Sequence, residues 1–285
     1  MQWIERLNEA LRYIEDNLDG EISYEKAGSL ANCSTYHFQR MFSYIAGIPL
    51  GEYIRRRRLT QAALALQQGQ KVLDVSLAYG YDSPTSFSRA FQAVHGLSPS
   101  QAKKEGTALK AFPKISFSLT IKGEQAMEYR IERKTAFRVV GTSLKLKKDM
   151  EQNMREIPLF WNEKTQDGTI AQLCSYLKQG EGLLGLCSNS DDKDHWVYTI
   201  GIIKEELTIE GFDSQVVDSA LWAIFPGKGP MPQSIQEVER RIISDWLPTS
   251  GYEFAQGFDV EVYLDADPTD QSFEVWMPIK KASEA

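Results

Sequence analysis

At 285 residues, 42% hydrophobic and 25% charged, the chain has room for two domains that each bury a core, and its composition excludes a disordered, collagen-like or coiled-coil protein. No apolar run nears the ~20 residues of a membrane-spanning helix, and the charged, amphipathic start Met1-Gln2-Trp3-Ile4-Glu5-Arg6 does not read as a signal peptide. The net charge of −7 divides unevenly: residues 1–105 hold twelve Lys and Arg against eleven Asp and Glu, and residues 106–285 hold twenty against twenty-eight, which predicts two domains with different partners.

In chain order, the first feature is a near-copy. Gln39-Arg40-Met41-Phe42 with Gly47 matches Ser88-Arg89-Ala90-Phe91 with Gly96 at an offset of 49, shared by Ser34 and Ser83 and by Phe38 and Phe87. Before the turn the offset is 48, which aligns Gly28 with Ser76 and Asn32 with Gly80. Each copy predicts a helix, a tight turn and a second helix. Ser23, Ser34 and Ser83 are N-cap residues, Pro84 suits a first helical position, and Asn32 and Gly80 suit a left-handed turn. Small residues at 28 and 76 let the two helices of a unit cross closely.

The second helices, about 35–45 and 84–94, each carry one apolar stripe: Phe38, Met41, Phe42 and Ile45 in the first, Phe87, Ala90, Phe91 and Val94 in the second. Their other faces carry side chains suited to base edges and phosphates. A single polar helix face would read as merely solvated; two at a matched offset, each after a turn signal, do not. The stretch from Pro49 to Leu66, with Arg55, Arg56, Arg57 and Arg58, predicts a connecting helix that holds the two units about one DNA turn, roughly 34 Å, apart. Those four arginines are placed either for phosphate contact or for internal salt bridges and caps.

Residues 3–104 resemble the AraC/XylS family DNA-binding domain. The resembling pieces are Tyr53-Ile54-Arg55-Arg56-Arg57-Arg58-Leu59, Ala78-Tyr79-Gly80-Tyr81-Asp82-Ser83, Phe87-Ser88-Arg89-Ala90-Phe91 and Gly96-Leu97-Ser98-Pro99-Ser100. The resemblance implies that one monomer engages two successive major grooves of double-stranded DNA, with Tyr36, Gln39 and Arg40 as one base-contacting set and Thr85, Ser86 and Arg89 as the other. Asn32 departs from the glycine common in the family, and asparagine tolerates the left-handed turn.

Residues 106–126 read as a linker, although Ile115, Phe117, Leu119 and Ile121 alternate as a short strand would. From residue 127 the pattern is strand (137–144), helix (150–161, with 171–177 as an extension), and strands at 183–187 and 196–202. The order then recurs: a strand 220–227 ending in a Pro-Gly turn, a helix 234–247 with a Ser234/Glu237 capping box, and strands at 258–264 and 273–279. The fold class expected is therefore multidomain: an all-α double helix-turn-helix domain (1–105), a linker, and an α+β domain (127–282) of two βαββ pseudo-repeats with antiparallel sheets.

This second half resembles the GyrI-like (SOUL-type, effector-binding) domain in Phe137-Arg138-Val139-Val140-Gly141, Trp246-Leu247-Pro248, Glu261-Val262-Tyr263 and Glu274-Val275-Trp276-Met277-Pro278-Ile279. The resemblance implies a pocket between the pseudo-repeats for small, often cationic and lipophilic, molecules, with Glu261 in the place of the family's ligand-side glutamate. Chemically, a strand carboxylate among aromatics attracts a delocalised cation by charge and by cation–π contact. Alternation puts Glu261 and Tyr263 on one face and Glu274 and Trp276 on another. Trp222, Phe225, Tyr198 and Trp161 are the further aromatic candidates, each with plain core packing as its competing role.

Catalysis and metal binding find little support. His37 and His95 fall in the DNA-binding helices, and His195 ends an Asp-rich loop that reads as a solvated hairpin tip. Cys33, Cys174 and Cys187 lack metal-ligand spacing and read as reduced thiols of a cytoplasmic protein. No catalytic residue, metal or cofactor is expected. The function expected is a transcription regulator in which a small-molecule effector alters DNA affinity or contact with RNA polymerase, with no membrane partner. Two alternatives for the C-terminal half stay open: a protein-binding module, and hydrolysis of a reactive ligand with Glu261 as general base.

Overall fold

In the computed structural model, which describes residues 2–118, 126–189, 195–204, 209–255, 257, 259–267 and 269–282, the chain forms two units, Met1–Ser118 and Leu119–Ala285. In the first, α1 (Gln2–Asp16) precedes a helix-turn-helix of α2 (Tyr24–Leu30) and α3 (Thr35–Ala46). Helix α4 (Leu50–Gln67) leads to the second pair, α5 (Val72–Ala78) and α6 (Pro84–His95), followed by the short α7 (Pro99–Ala102).

The local signals act as their chemistry dictates. The hydroxyls of Ser23, Ser34 and Ser83 accept from the backbone N–H of Lys26, His37 and Ser86, which satisfies donors that a helix start leaves open. Asn32 and Gly80 take φ of 55° and 78° in the two turns. A Cβ at Gly28 would stand 3.0 Å from the Cys33 carbonyl and 3.1 Å from the Thr35 nitrogen; glycine there lets α2 meet the turn. Ser76 is fully buried and returns its proton to the Leu73 carbonyl at 2.7 Å.

Leu7, Leu11 and Ile14 of α1 and Phe38, Met41 and Phe42 of α3 are buried, as are Leu59, Ala62 and Leu66 of α4 with Val75, Phe87 and Phe91. Residues 107–118, expected as linker, lie in the helical unit and run along it without joining a strand. Among the described residues the strand suggested by the alternation around Ile115 and Phe117 is therefore not formed, and their N–H groups meet the Tyr53 and Asn8 side chains instead of a ladder; Leu119 and Ile121 lie outside the described residues.

The second unit is one antiparallel sheet with helices. Its elements are β1 (Arg130–Lys134), β2 (Phe137–Lys147), α8 (Met150–Gln166), α9 (Thr169–Cys174), β3 (Leu183–Asn189), β4 (His195–Ile203), β5 (Asp213–Val217), β6 (Ala220–Gly229), α10 (Gln233–Arg241), β7 (Tyr252–Phe254), β8 (Val260–Tyr263) and β9 (Gln271–Lys281). The strand order is β1-β6-β9-β8-β3-β4-β2-β5, with β7 on β9. Reversing that order and exchanging β1 with β5, β2 with β6, β3 with β8 and β4 with β9 reproduces it, so the two repeats are related by a pseudo-two-fold between β3 and β8. Each repeat also carries a leading strand, β1 or β5, which pairs with the other repeat.

One sheet face closes on itself. The Phe137 ring of β2 lies 6.3 Å from both Trp222 of β6 and Trp276 of β9, strands near opposite ends of the order, which requires a strongly curled sheet. Val139, Leu184, Leu186, Ile224, Val260 and Val262 fill this inner face. Helices cover the outer face, α10 on β6 and β9, α8 on β2, and α9 on β4.

Three expectations are corrected. The strand at 220–227 does not end in a Pro-Gly turn: it runs to Gly229 with Pro226 opposite Glu274 and Gly227 opposite Phe273, whose ring occupies the space a side chain at 227 would need. The Ser234/Glu237 capping box is absent, because the helix begins earlier, at Gln233 after Pro232, and Glu237 instead pairs with Arg240 at 2.6 Å. Residues 171–177 do not extend α8; Gly168 at φ 84° ends it and starts α9. The loop at 191–194 and Phe258 lie outside the described residues.

Candidate nucleic-acid interface and effector site

Helices α3 and α6 present unequal surfaces. On α6, Thr85, Ser86 and Arg89 are all exposed. Ser86 gives its hydroxyl proton to the Ser83 carbonyl at 2.8 Å and accepts from the Ser83 hydroxyl at 3.1 Å. On α3, Arg40 lies between two tyrosines: its Nε donates to the Tyr44 hydroxyl at 3.2 Å, its Nη1 to the Tyr36 hydroxyl at 3.4 Å, and its guanidinium carbon is 5.7 Å from each ring centre. Tyr44 was not among the sequence candidates; its signal is the i, i+4 spacing from Arg40.

Gln39 differs from expectation. It is 2% exposed, and its Nε2 has no partner among the described residues. At 100° per residue, position 39 falls about 60° from Phe42, on the flank of the apolar stripe; the side chain is drawn in with it. Of the three candidates on α3, Tyr36 and Arg40 stay part-exposed, with Tyr44 beside them.

The four consecutive arginines have internal roles. Arg55 and Arg56 pair with Glu52. Arg57 is buried and holds Glu15 at 2.7 Å. Arg58 donates to the carbonyls of Leu18 at 2.9 Å and Gly20 at 2.7 Å, and its guanidinium fills the space under Gly80 that a side chain would need. One arginine of α4 thus touches both the approach to the first helix-turn-helix and the turn of the second. A cleft of about 470 Å³ opens beside it, lined by Asp19, Glu21, Ile22, Ile54 and Leu77.

In the second unit the structure gathers four of the eight effector-site candidates on the outer, helix-covered face. The Tyr263 hydroxyl donates to Glu261 Oε2 at 2.7 Å, Trp161 Nε1 of α8 donates to the Tyr198 hydroxyl at 2.8 Å, and the Trp161 and Tyr263 rings meet edge to face at 5.1 Å. Gly185, directly opposite Glu261 on β3, makes this possible. A Cβ there would collide with the Tyr198 hydroxyl and stand 3.3 Å from Glu261 Oε2. Sequence reasoning missed Gly185; a glycine interrupting the apolar run 183–187 was its signal.

The other four stand elsewhere. Phe225 shares the outer face but packs on Trp246 at 4.9 Å and Tyr129 at 6.0 Å. Trp222 is 1% exposed in the inner core. Glu274 and Trp276 share the inner face, and the chain supplies their cations itself: Arg130 donates to Glu274 at 2.8 Å, Trp276 Nε1 donates to Glu274 at 2.7 Å, and Lys134 lies 4.3 Å over the Trp276 ring. Burial pushes the Glu274 carboxyl up, but the bonds from Arg130 and Trp276 outweigh it and hold it below its ordinary range. Among the described residues no cluster of three metal-ligating side chains is present, and no helix is long and apolar enough to cross a membrane.

Comparison with known proteins bears on both units. Over 95 residues the chain is 43% identical to the HTH-type transcriptional activator AarP of Providencia stuartii, covering 33% of this chain and 70% of AarP. Residues 29–105 match a helix-turn-helix domain model, and residues 130–279, more than half of the chain, match the family described as integron-associated effector binding protein, Cass2. The chain is an AraC-type transcription regulator with a Cass2-type effector-binding domain. The regulator is also 35% identical over 99 residues to the Transposon Tn10 TetD protein of Escherichia coli, covering 34% of the regulator and 72% of TetD. A solved structure described as SAV2435 bound to tetraphenylphosphonium is similar to the regulator over 54% of this chain and 94% of that one, at 24% identity and a TM-score of 0.48.

Proposed function

We propose that the regulator reads two successive major grooves with Tyr36, Arg40 and Tyr44 of α3 and Thr85, Ser86 and Arg89 of α6. Its effector is a lipophilic cation, taken by Glu261 with Tyr263, Tyr198 and Trp161. The observation that carries the effector reading is the carboxylate of Glu261 set among three aromatic rings on the outer sheet face. Such a site offers a delocalised cation charge attraction and ring faces together, at little desolvation cost to the ligand. The inner pair Glu274 and Trp276 supports the choice by contrast, because Arg130 and Lys134 already meet its demand for positive charge. Binding then changes DNA affinity, or contact with RNA polymerase, by a coupling free energy of about 1–3 kcal/mol, in a protein of the cytoplasm.

Calorimetric titration with tetraphenylphosphonium as probe, and with uncharged triphenylphosphine oxide as control, tests the effector site. The cation should bind the full chain and the oxide far more weakly, and Glu261→Gln should remove the preference while Glu274→Gln keeps it. Equal binding of cation and oxide, or an unaltered preference in Glu261→Gln, would refute the assignment.

A further inference from the structure

Beyond Gly106, residues 107–118 form an extended strap whose backbone is held by side chains of the helical unit rather than by a strand. The Lys110 N–H donates to His95 Nδ1 at 3.2 Å, Phe112 N–H to Thr60 Oγ1 at 3.1 Å, Ile115 N–H to the Tyr53 hydroxyl at 3.2 Å, and Phe117 N–H to Asn8 Oδ1 at 2.8 Å. In return Arg57 Nη1 donates to the Phe112 carbonyl at 2.6 Å and Asn8 Nδ2 to the Phe117 carbonyl at 2.8 Å. The hydroxyls of Thr60 and Tyr53 give their own protons to the Arg56 carbonyl and to Glu15, so each bridges its helix to the strap.

The route of the strap matters more than the number of bonds. It starts at His95, the last residue of α6, follows α4 backwards past Thr60, Arg57 and Tyr53, and ends on α1 and α3. There the Phe117 ring meets Phe42, a core residue of α3, at 5.9 Å and 67°, while Phe112 lies 5.1 Å under the Arg56 guanidinium. Leu109 packs on the core of the second helix-turn-helix. One continuous segment therefore touches the backs of both DNA-reading helices and the helix between them. Extended backbone without a ladder has no hydrogen-bonded alternative of its own; these acceptors and donors fix where it lies.

We propose that residues 109–118 are a clasp that sets the separation and pitch of α3 and α6, which makes them positioning residues for DNA binding rather than a passive connector. DNA that needs both helices in register binds the docked form, so binding and docking favour one another. Because the clasp is the chain's only covalent path from residue 119 onwards to the helices, it is also where tension or slack from the second unit first arrives.

The test uses the full chain and a DNA site selected from a random pool by the wild-type protein. Asn8→Ala with Phe117→Ala should lower affinity for that site by about tenfold, and the penalty for inserting one base pair between the half-sites should shrink by a similar factor, since a released pair of units can re-space. A variant that melts earlier but keeps the wild-type spacing penalty would overturn the proposal and leave the strap as packing only. Should that variant fail to fold, amide hydrogen exchange on the wild-type chain decides: the selected DNA should slow exchange at Phe112, Ile115 and Phe117, and exchange rates unaffected by DNA overturn the clasp.

Discussion

Arg40 and Arg89 stand at equivalent positions of α3 and α6, yet the structure gives them different company. Arg40 is braced by Tyr36 and Tyr44, whereas Arg89 is exposed between Thr85 and Ala93, residues too short to brace it. Either substitution by alanine should weaken specific DNA binding by about 1–3 kcal/mol, checked by titrating a selected site against each variant. Tyr44→Leu should reproduce part of the Arg40→Ala loss, because the guanidinium then has to be ordered at the moment of binding. No measurable effect of Tyr44→Leu would mean that the bracing is incidental. If the proposed site takes the cation, alanine at Gly185 should abolish tetraphenylphosphonium binding by driving the Tyr198 hydroxyl from its place over residue 185, where Trp161 donates to it, read by calorimetry alongside a melting curve. At this scale the sequence indicated residue type and periodicity. It could not show that Gln39, on the flank of the stripe, is buried, nor that Glu274 is matched by Arg130, 144 positions away.

Among elements, the helix-turn-helix units are the part whose boundaries follow from local chemistry. Ser34→Ala and Ser83→Ala should each cost about 1 kcal/mol of stability through loss of a capped N–H, measured by urea unfolding. The connecting helix is held differently. Arg58 donates charged hydrogen bonds to two loop carbonyls, and Arg58→Ala should cost about 1.5–3 kcal/mol, with Arg58→Lys recovering part of it; an unchanged urea midpoint in Arg58→Ala would contradict this role. In the sheet, the recurrence of a strand, a helix and two strands was visible from alternation and turn residues. The leading strands β1 and β5 were not, since Arg-Ile-Glu-Arg-Lys and Asp-Ser-Gln-Val-Val carry no clear alternation and owe their state to partners in the other repeat. The start of α10 at Gln233 was equally hidden, because the neighbouring Pro232, not a side-chain cap, leads into it.

At the scale of the whole molecule, shifted groups in both units shape the acid response, and two buried ones lie in the helical unit. Burial lowers the pKa of His95, against a bond to the Leu59 carbonyl and with repulsion from Lys110 adding to it; the neutral ring donates to Leu59 and accepts from Lys110. An unfolded chain takes up this proton at the ordinary histidine pKa and the folded one only at lower pH. Stability is therefore full above that range and falls as pH drops toward the folded value. Glu15 is pushed up by burial, but the bonds from Arg57 and Tyr53 outweigh this and lower its pKa. Its contribution is present above the ordinary carboxylate range and is lost as pH falls through the folded value. Urea midpoints should accordingly decline in two stages on acidification, the upper one absent in His95→Gln. A single decline confined to carboxylate pH would count against a buried neutral His95.

The sequence by itself determined the duplicated reading unit, its turns and caps, the order of the second repeat, and the placement of Glu261 and Tyr263 on one strand face. All of these are encoded within a few residues, through helix and strand periods and the conformational preferences of Ser, Pro, Asn and Gly. Only the tertiary structure decided the exchange of β1 and β5 between repeats, the curl that buries Trp222 and Trp276, the meeting of Trp161 with Tyr198, and the docking of residues 107–118. Each depends on partners far apart in the chain, Asn8 and Phe117 being 109 positions apart, and no local propensity distinguishes a carboxylate or an extended segment that has found such a partner from one left in water.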